Sequence, residues 1–73
     1  MVLYRYDSER QVHEVGLIAY QLGDNLAEAL WRGGVITTAD YYSDWIEQDR
    51  ARGIVYDYYG RVWFYVEPYK GEE

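Results

Sequence analysis

The residues able to do chemistry in this 73-residue chain are few, beginning with a single histidine. His13 has Glu9 four residues before it, the spacing at which a carboxylate on a helix can orient an imidazole. With no nucleophile placed beside it, the pair reads as a surface ion pair rather than a catalytic dyad. Ser8 and Ser43 sit in no nucleophile elbow, and Ser8 is accounted for as a helix cap. Gly33-Gly34 lacks the lysine and the spacing of a phosphate loop. Without cysteine, and with one histidine, the sequence offers no metal-ligand cluster. Carboxylate pairs are bound to occur among thirteen acidic residues, so none of them singles out an acid and base. The sequence therefore assigns no catalytic residue, metal or cofactor, and an enzyme ranks as a distant third reading.

Recognition chemistry is better represented. Asp40, Asp44 and Glu47 recur at the i, i+4 and i+7 spacing that places them on one helix face. With a rise of ~1.5 Å per residue they would span about 10 Å, a spacing able to meet a basic groove built for phosphates. The plain alternative is a solvated helix face. Against it stands the absence of a basic partner for Asp40 and Asp44 at helical spacing, a mild destabilisation that a purely structural surface would avoid. The second group is aromatic: Tyr56, Tyr58, Trp63 and Tyr65 fall on one face of a C-terminal hairpin. Tyrosine and tryptophan beside carboxylates suit a basic partner, through ring stacking on arginine together with ion pairing.

The elements that must carry these groups follow from periodicity and caps. Val2 to Asp7 alternates as a strand, with Leu3 on one face and Tyr4 and Tyr6 on the other. Ser8-Glu9-Arg10-Gln11 has the form of a capping box. Val12 to Leu22 then fits two periods: Val12, Val15, Ala19 and Leu22 make a helical stripe, and the run around Val15-Gly16-Leu17-Ile18 would serve as a second strand beside the first. The reading leans to the helix. Asn25 and Glu28 cap a short helix through Leu26, Ala29 and Leu30 that Gly33-Gly34 ends. Thr37 and Thr38 cap a longer helix to about Arg52, stopped by Gly53, with Tyr42, Trp45 and Ile46 inward and Asp49 on the inward side as a misfit. A hairpin closes the domain: Ile54 to Tyr58, a two-residue turn at Tyr59-Gly60, and Arg61 to Glu67, ended by Pro68. Pairing Tyr58 with Arg61 puts Val55, Asp57, Val62, Phe64 and Val66 on a core face, and Ile54, Tyr56, Tyr58, Trp63 and Tyr65 on the opposite face. The expectation is one α+β domain over residues 1–69, with two or three short helices, an N-terminal strand and a C-terminal antiparallel hairpin, followed by a loose acidic tail at 70–73.

Two resemblances accompany this reading. Leu26-Ala27-Glu28-Ala29-Leu30 with Gly33-Gly34-Val35-Ile36-Thr37, and Arg52-Gly53-Ile54-Val55 leading into the hairpin, give residues 24–66 an order that resembles the winged-helix family. The likeness implies a nucleic-acid-binding fold with the hairpin as its wing. Between Thr37 and Gly53, however, there is room for one helix where that family needs two. The small, acidic, cysteine-free character also resembles, in size and charge, phage-encoded inhibitors of bacterial defence such as anti-CRISPR and anti-restriction proteins.

Composition sets the outer bounds. A net charge of −6, with seven basic residues against thirteen acidic, argues against direct duplex DNA binding, which depends on phosphate neutralisation. At 49% hydrophobic and 19% aromatic the chain lies far from disordered compositions. Sixteen aliphatic residues with Phe64 and three tryptophans fill so small a core, leaving most of the ten tyrosines at its edge. The longest apolar stretch, Val15 to Tyr20, is too short to span a bilayer, no signal-peptide pattern is present, and the lack of cysteine favours the cytoplasm, a host's cytoplasm for a phage protein. The leading expectation is a module that binds a basic surface on a partner protein and occludes a nucleic-acid-binding site, with no membrane role. The alternative is a winged-helix-like regulator or assembly subunit whose hairpin joins two copies.

Overall fold

Alternation in Val2-Leu3-Tyr4-Arg5-Tyr6 does form a strand, and every other element is arranged around it. In the computed structural model, which describes residues 1–68, strands β1 (Val2–Tyr6), β2 (Val12–Leu17), β3 (Glu47–Asp49), β4 (Ile54–Tyr56) and β5 (Val62–Glu67) make one antiparallel sheet in the order β2-β1-β5-β4-β3. Two short helices, α1 (Leu26–Arg32) and α2 (Thr38–Tyr41), lie between β2 and β3 in the chain. Eleven residues are helical against twenty-three in strands, so the expected α+β domain is corrected to a five-stranded sheet with minor helical cover. The expected tail at 70–73 lies outside the described residues.

The segment from Val12 is strand because its N-terminal signal is a turn, not a helix cap. The Asp7 carboxylate accepts the Glu9 and Gln11 N–H groups at 2.8 and 2.9 Å, and Arg10 N–H donates to the Asp7 carbonyl at 3.0 Å. Asp7, and not Ser8, takes up the free N–H groups, and it does so in a turn that brings β-branched Val12 opposite Tyr6 on β1, while Val15 falls at a bulge without a partner. The same turn recurs between β4 and β5. Asp57 accepts from Tyr59 and Arg61 N–H at 2.9 and 3.0 Å, and Gly60 N–H donates to the Asp57 carbonyl at 2.9 Å. Gly60, at φ 75°, matches Arg10, the single non-glycine residue with positive φ among those described, at 63°.

The long helix expected from Thr37 to Arg52 is cut to one turn. Its start is as the sequence implies: Thr37 caps it in a reciprocal box with Asp40. Ser43 ends it by donating both its N–H and its hydroxyl, the latter at 2.6 Å, to the Asp40 carbonyl. The chain then extends as β3, whose Gln48 side chain accepts the free N–H groups of Leu26 and Ala27 at the start of α1. Gln48 also donates to Asn25, the cap of that helix. A strand at this place satisfies two elements at once, and it turns the misfit Asp49 outward to meet Arg52 at 3.4 Å.

Core residues come from one face of the sheet and from the helices on it. Leu3, Val55, Phe64 and Val66 pack with Leu26, Leu30, Ile36 and Tyr20. The resemblance to winged helices is overturned by this arrangement: the segment that would supply a recognition helix is a four-residue helix followed by an edge strand, and the hairpin lies inside a five-stranded sheet.

Candidate protein-interaction surface

Strand pairing determines which residues share the face opposite the helices. Leu3 and Val55 are core, so their neighbours Val2, Tyr4, Tyr6, Ile54 and Tyr56 point the other way. Cross-strand partners share a face: Tyr4 pairs with Tyr65 and Glu14, Tyr6 with Val12, Val2 with Leu17 and Glu67, Ile54 with Asp49, and Tyr56 with Glu47 and Val62. No residue of this outer face among those described is buried, and Leu17 at 65% and Val12 at 46% exposure are open to solvent. The sheet has its helical layer on one side and an aromatic and aliphatic surface on the other.

Tyrosines form the centre of this surface. The Tyr4 and Tyr65 rings stack at 5.1 Å with an 18° interplanar angle, and Tyr6 lies 5.9 Å from Tyr65 on the far side. Arg10 fixes the end of the row. Its guanidinium stands 4.6 Å from the Tyr6 ring centre and donates to the Val62 carbonyl at 2.7 Å. That carbonyl contact tethers the first turn to the far hairpin and accounts for an arginine held at positive φ. Tyr6, Arg52, Ile54, Val62 and Tyr65 border a shallow groove of about 280 Å³. Burial, and next the charge of Glu67, push the Tyr65 hydroxyl above its ordinary pKa. Glu14, Glu67, Glu47 and Asp49 lie on the same face along β2, β5 and β3.

No family model matches this chain, and no curated protein or solved structure does so either.

Of the residues expected at an interface, Tyr56, Tyr65 and Glu47 lie together on this face. Asp40 does not, its carboxylate and backbone being engaged in the α2 cap, and Asp44 is exposed in the loop before β3. The three carboxylates thus share no helix, and the 10 Å stripe does not exist. Tyr58 stands in the β4–β5 turn at 71% exposure. Trp63 leaves the aromatic face because the register shifts between Val55 and Tyr56. Ile54↔Tyr65 and Val55↔Phe64 pair as expected, but Tyr56 meets Val62, and Trp63 packs against Trp45 at 5.7 Å and the core. The expected two-residue turn is in fact closed by Asp57 and Arg61, and Val62 moves from the core face to the outer one.

Sequence reasoning placed Tyr4 and Tyr6 opposite Leu3 without joining them to the hairpin. The missing datum was that β1 pairs with β5, for which the row of tyrosines common to both segments was the available signal. Arg10 was missed altogether. The groups considered for catalysis are engaged in turns and caps: His13 pairs with Asp7 at 2.7 Å rather than with Glu9, and Ser43 closes α2. The hydrogen bond from His13 and those from the Gln11 and Glu9 N–H groups hold the Asp7 carboxyl below its ordinary pKa. Among the described residues no three His, Asp or Glu side chains group as metal ligands, and no helix is long and apolar enough to cross a membrane.

Proposed function

We propose that the chain is a protein-binding module whose outer sheet face docks on a basic surface of a partner and acts by occupying it. The observation that carries this reading is the Tyr4-Tyr65-Tyr6 row, on the face without a helical layer, with Glu14, Glu47 and Glu67 on the same face. Stacked tyrosines give area at low entropic cost and offer ring faces to guanidinium groups, and the carboxylates supply long-range attraction. Arg10 over Tyr6 is the same contact made within the chain. A basic surface of this kind is one that otherwise meets nucleic acid, so occupancy would inhibit such a partner. The cysteine-free composition fits work in the cytoplasm.

An exposed aromatic sheet can also stack single-stranded bases. Net charge of −6 opposes that use. The test is an NMR titration with an arginine-rich peptide and, separately, a single-stranded oligonucleotide, at low and physiological salt. The peptide is expected to shift the Tyr4, Tyr6 and Tyr65 ring resonances in a salt-dependent way. Loss of two rings in a Tyr4→Ala/Tyr65→Ala variant, at about 1 kcal/mol each, should weaken binding roughly thirtyfold. Ring resonances indifferent to the peptide, or moved by the oligonucleotide alone, would overturn the reading.

A further inference from the structure

The two edges of the sheet are finished differently. β3 is three residues long, carries Glu47 and Asp49, and commits its Gln48 side chain to the start of α1. Shortness and charge of this kind discourage a further strand. β2, at the other edge, is six residues long, contains neither lysine nor proline, and is exposed at every residue but Gly16. It keeps a regular run from Val12 to Glu14, which the bulge at Val15 ends. The ladder to β1 determines what that run offers. Asp7 N–H donates to the Gln11 carbonyl at one end, and Met1 and Ile18 exchange both bonds at the other. Bonded and non-bonded pairs alternate in an antiparallel ladder, so His13 turns its backbone groups to β1 while Val12 and Glu14 turn theirs outward. Two N–H groups and two carbonyls therefore face away from the sheet, at the spacing that an extended antiparallel strand takes up.

Side chains on the two faces add a charge pattern. Glu14 shares a cross-strand row with Tyr4 and Tyr65 on the outer face, and it has no ion pair among the described residues. On the opposite face His13 lies beside Arg5, which also has no carboxylate partner among the described residues. A strand laid along β2 thus meets a carboxylate on one face and a guanidinium, behind His13, on the other. Opposite charges across a strand pair stabilise it and like charges do the reverse. The added strand is favoured with a basic residue opposite Glu14 and an uncharged one opposite His13. A second copy of the chain fits less well. It brings six further negative charges to the same edge, and two-fold pairing of Val12 with Glu14 of the other copy sets each carboxylate against a valine.

We infer, building on the outer face as a dock for a basic partner, that the partner engages through an extended segment added to β2 as a sixth, antiparallel strand with basic residues at alternate positions. The test is an NMR titration with a capped peptide alternating arginine and threonine, and with two N-methylated forms of it. Residues opposite Val12 and Glu14 share their face and point N–H groups at them, so the arginines of the bound strand are also its donors. N-methylation of the arginines should weaken binding at least tenfold, whereas N-methylation of the threonines, whose N–H groups face solvent, should leave it unchanged. The Val12 and Glu14 amide protons, open to exchange in the free protein, should become protected by the unmodified peptide. Glu14→Gln, a change at an exposed strand position, should keep the thermal midpoint and weaken binding about threefold. Undiminished affinity of the arginine-methylated peptide, with the Tyr4, Tyr6 and Tyr65 rings still shifting, would overturn the added strand and leave the outer-face reading standing. Rings indifferent to every form of the peptide would overturn both. Protection of Val12 and Glu14 in the protein alone, rising with its concentration, would overturn the inference by giving the edge to a second copy.

Discussion

Gly53 and Gly60 have nearly the same backbone, with φ of 71° and 75°, but opposite surroundings, and a matched pair of alanine substitutions separates the two costs of adding a methyl group. At Gly60 a new Cβ meets nothing within 4 Å. Gly60→Ala should therefore cost only the left-handed conformation, about 1 kcal/mol. At Gly53 the same atom runs into Val66 and reaches Leu22 at 3.0 Å. Leu22 is half exposed and can turn away, but Val66 is 6% exposed, stiff at χ1, and bonded through its N–H to the Gly53 carbonyl at 3.0 Å. Neither the backbone nor the side chain can yield alone, and overpacking of this kind adds about 1–3 kcal/mol. Gly53→Ala should cost about 2–4 kcal/mol in all, a large part of the roughly 4–11 kcal/mol expected for a domain of this length. Urea unfolding followed by tryptophan fluorescence measures both. Equal losses in the two variants would refute the steric argument and leave backbone conformation as the whole effect.

Arg10→Ala should destabilise by about 1–2 kcal/mol through loss of the charged hydrogen bond to Val62 and the Tyr6 contact, and Arg10→Gly by less, because glycine removes the positive-φ strain; urea unfolding ranks the two. Val12→Pro should leave the sheet intact whereas His13→Pro unfolds it. Asp7 N–H bonds Gln11, so in the alternating ladder His13 faces β1 and Val12 points its N–H to solvent, which circular dichroism of the two variants will check. Tyr20 and Tyr65 both have raised pKa values, burial being the first cause in each, so their neutral forms are favoured in the folded state. The associated stability is complete below the ordinary tyrosine value of 10.0 and is lost as pH rises through the higher folded values. Ultraviolet titration of Tyr65→Phe should lack a late-ionising phenol present in the parent.

What was legible in the sequence was local. Asn25 and Thr37 cap helices as their types and spacing require, Leu3 is inward with Tyr4 and Tyr6 outward, and Ile54↔Tyr65 and Val55↔Phe64 pair as alternation demands. The errors arose where a side chain settled a competition between two backbone states. Asp7 captures two turn N–H groups that a Ser8 cap would have left for a helix, and Ser43 and Gln48 divert a helical pattern into a strand. Each decision depends on a partner remote from the periodic segment or on an acceptor just outside it. Windowed periodicity registers neither.

The site shows the same division, and it explains why the expected acidic stripe is absent while Tyr56 and Tyr65 of the expected aromatic face stay together. Spacing can place Asp40, Asp44 and Glu47 together only if the helix continues past Tyr41, so one hydroxyl at Ser43 dissolves the whole constellation. Tyrosine rows are more robust, because a strand's period of two survives any error in the neighbouring elements. Tyr4, Tyr6 and Tyr65 were therefore assignable to faces before their pairing was known, and the pairing of β1 with β5 needed only to align them. Trp63 marks the limit of that robustness. The extra residue at the register shift is Trp63 itself, unpaired on β5 between Val62, which meets Tyr56, and Phe64, which meets Val55, so the ring lost from the outer face packs against Trp45 instead.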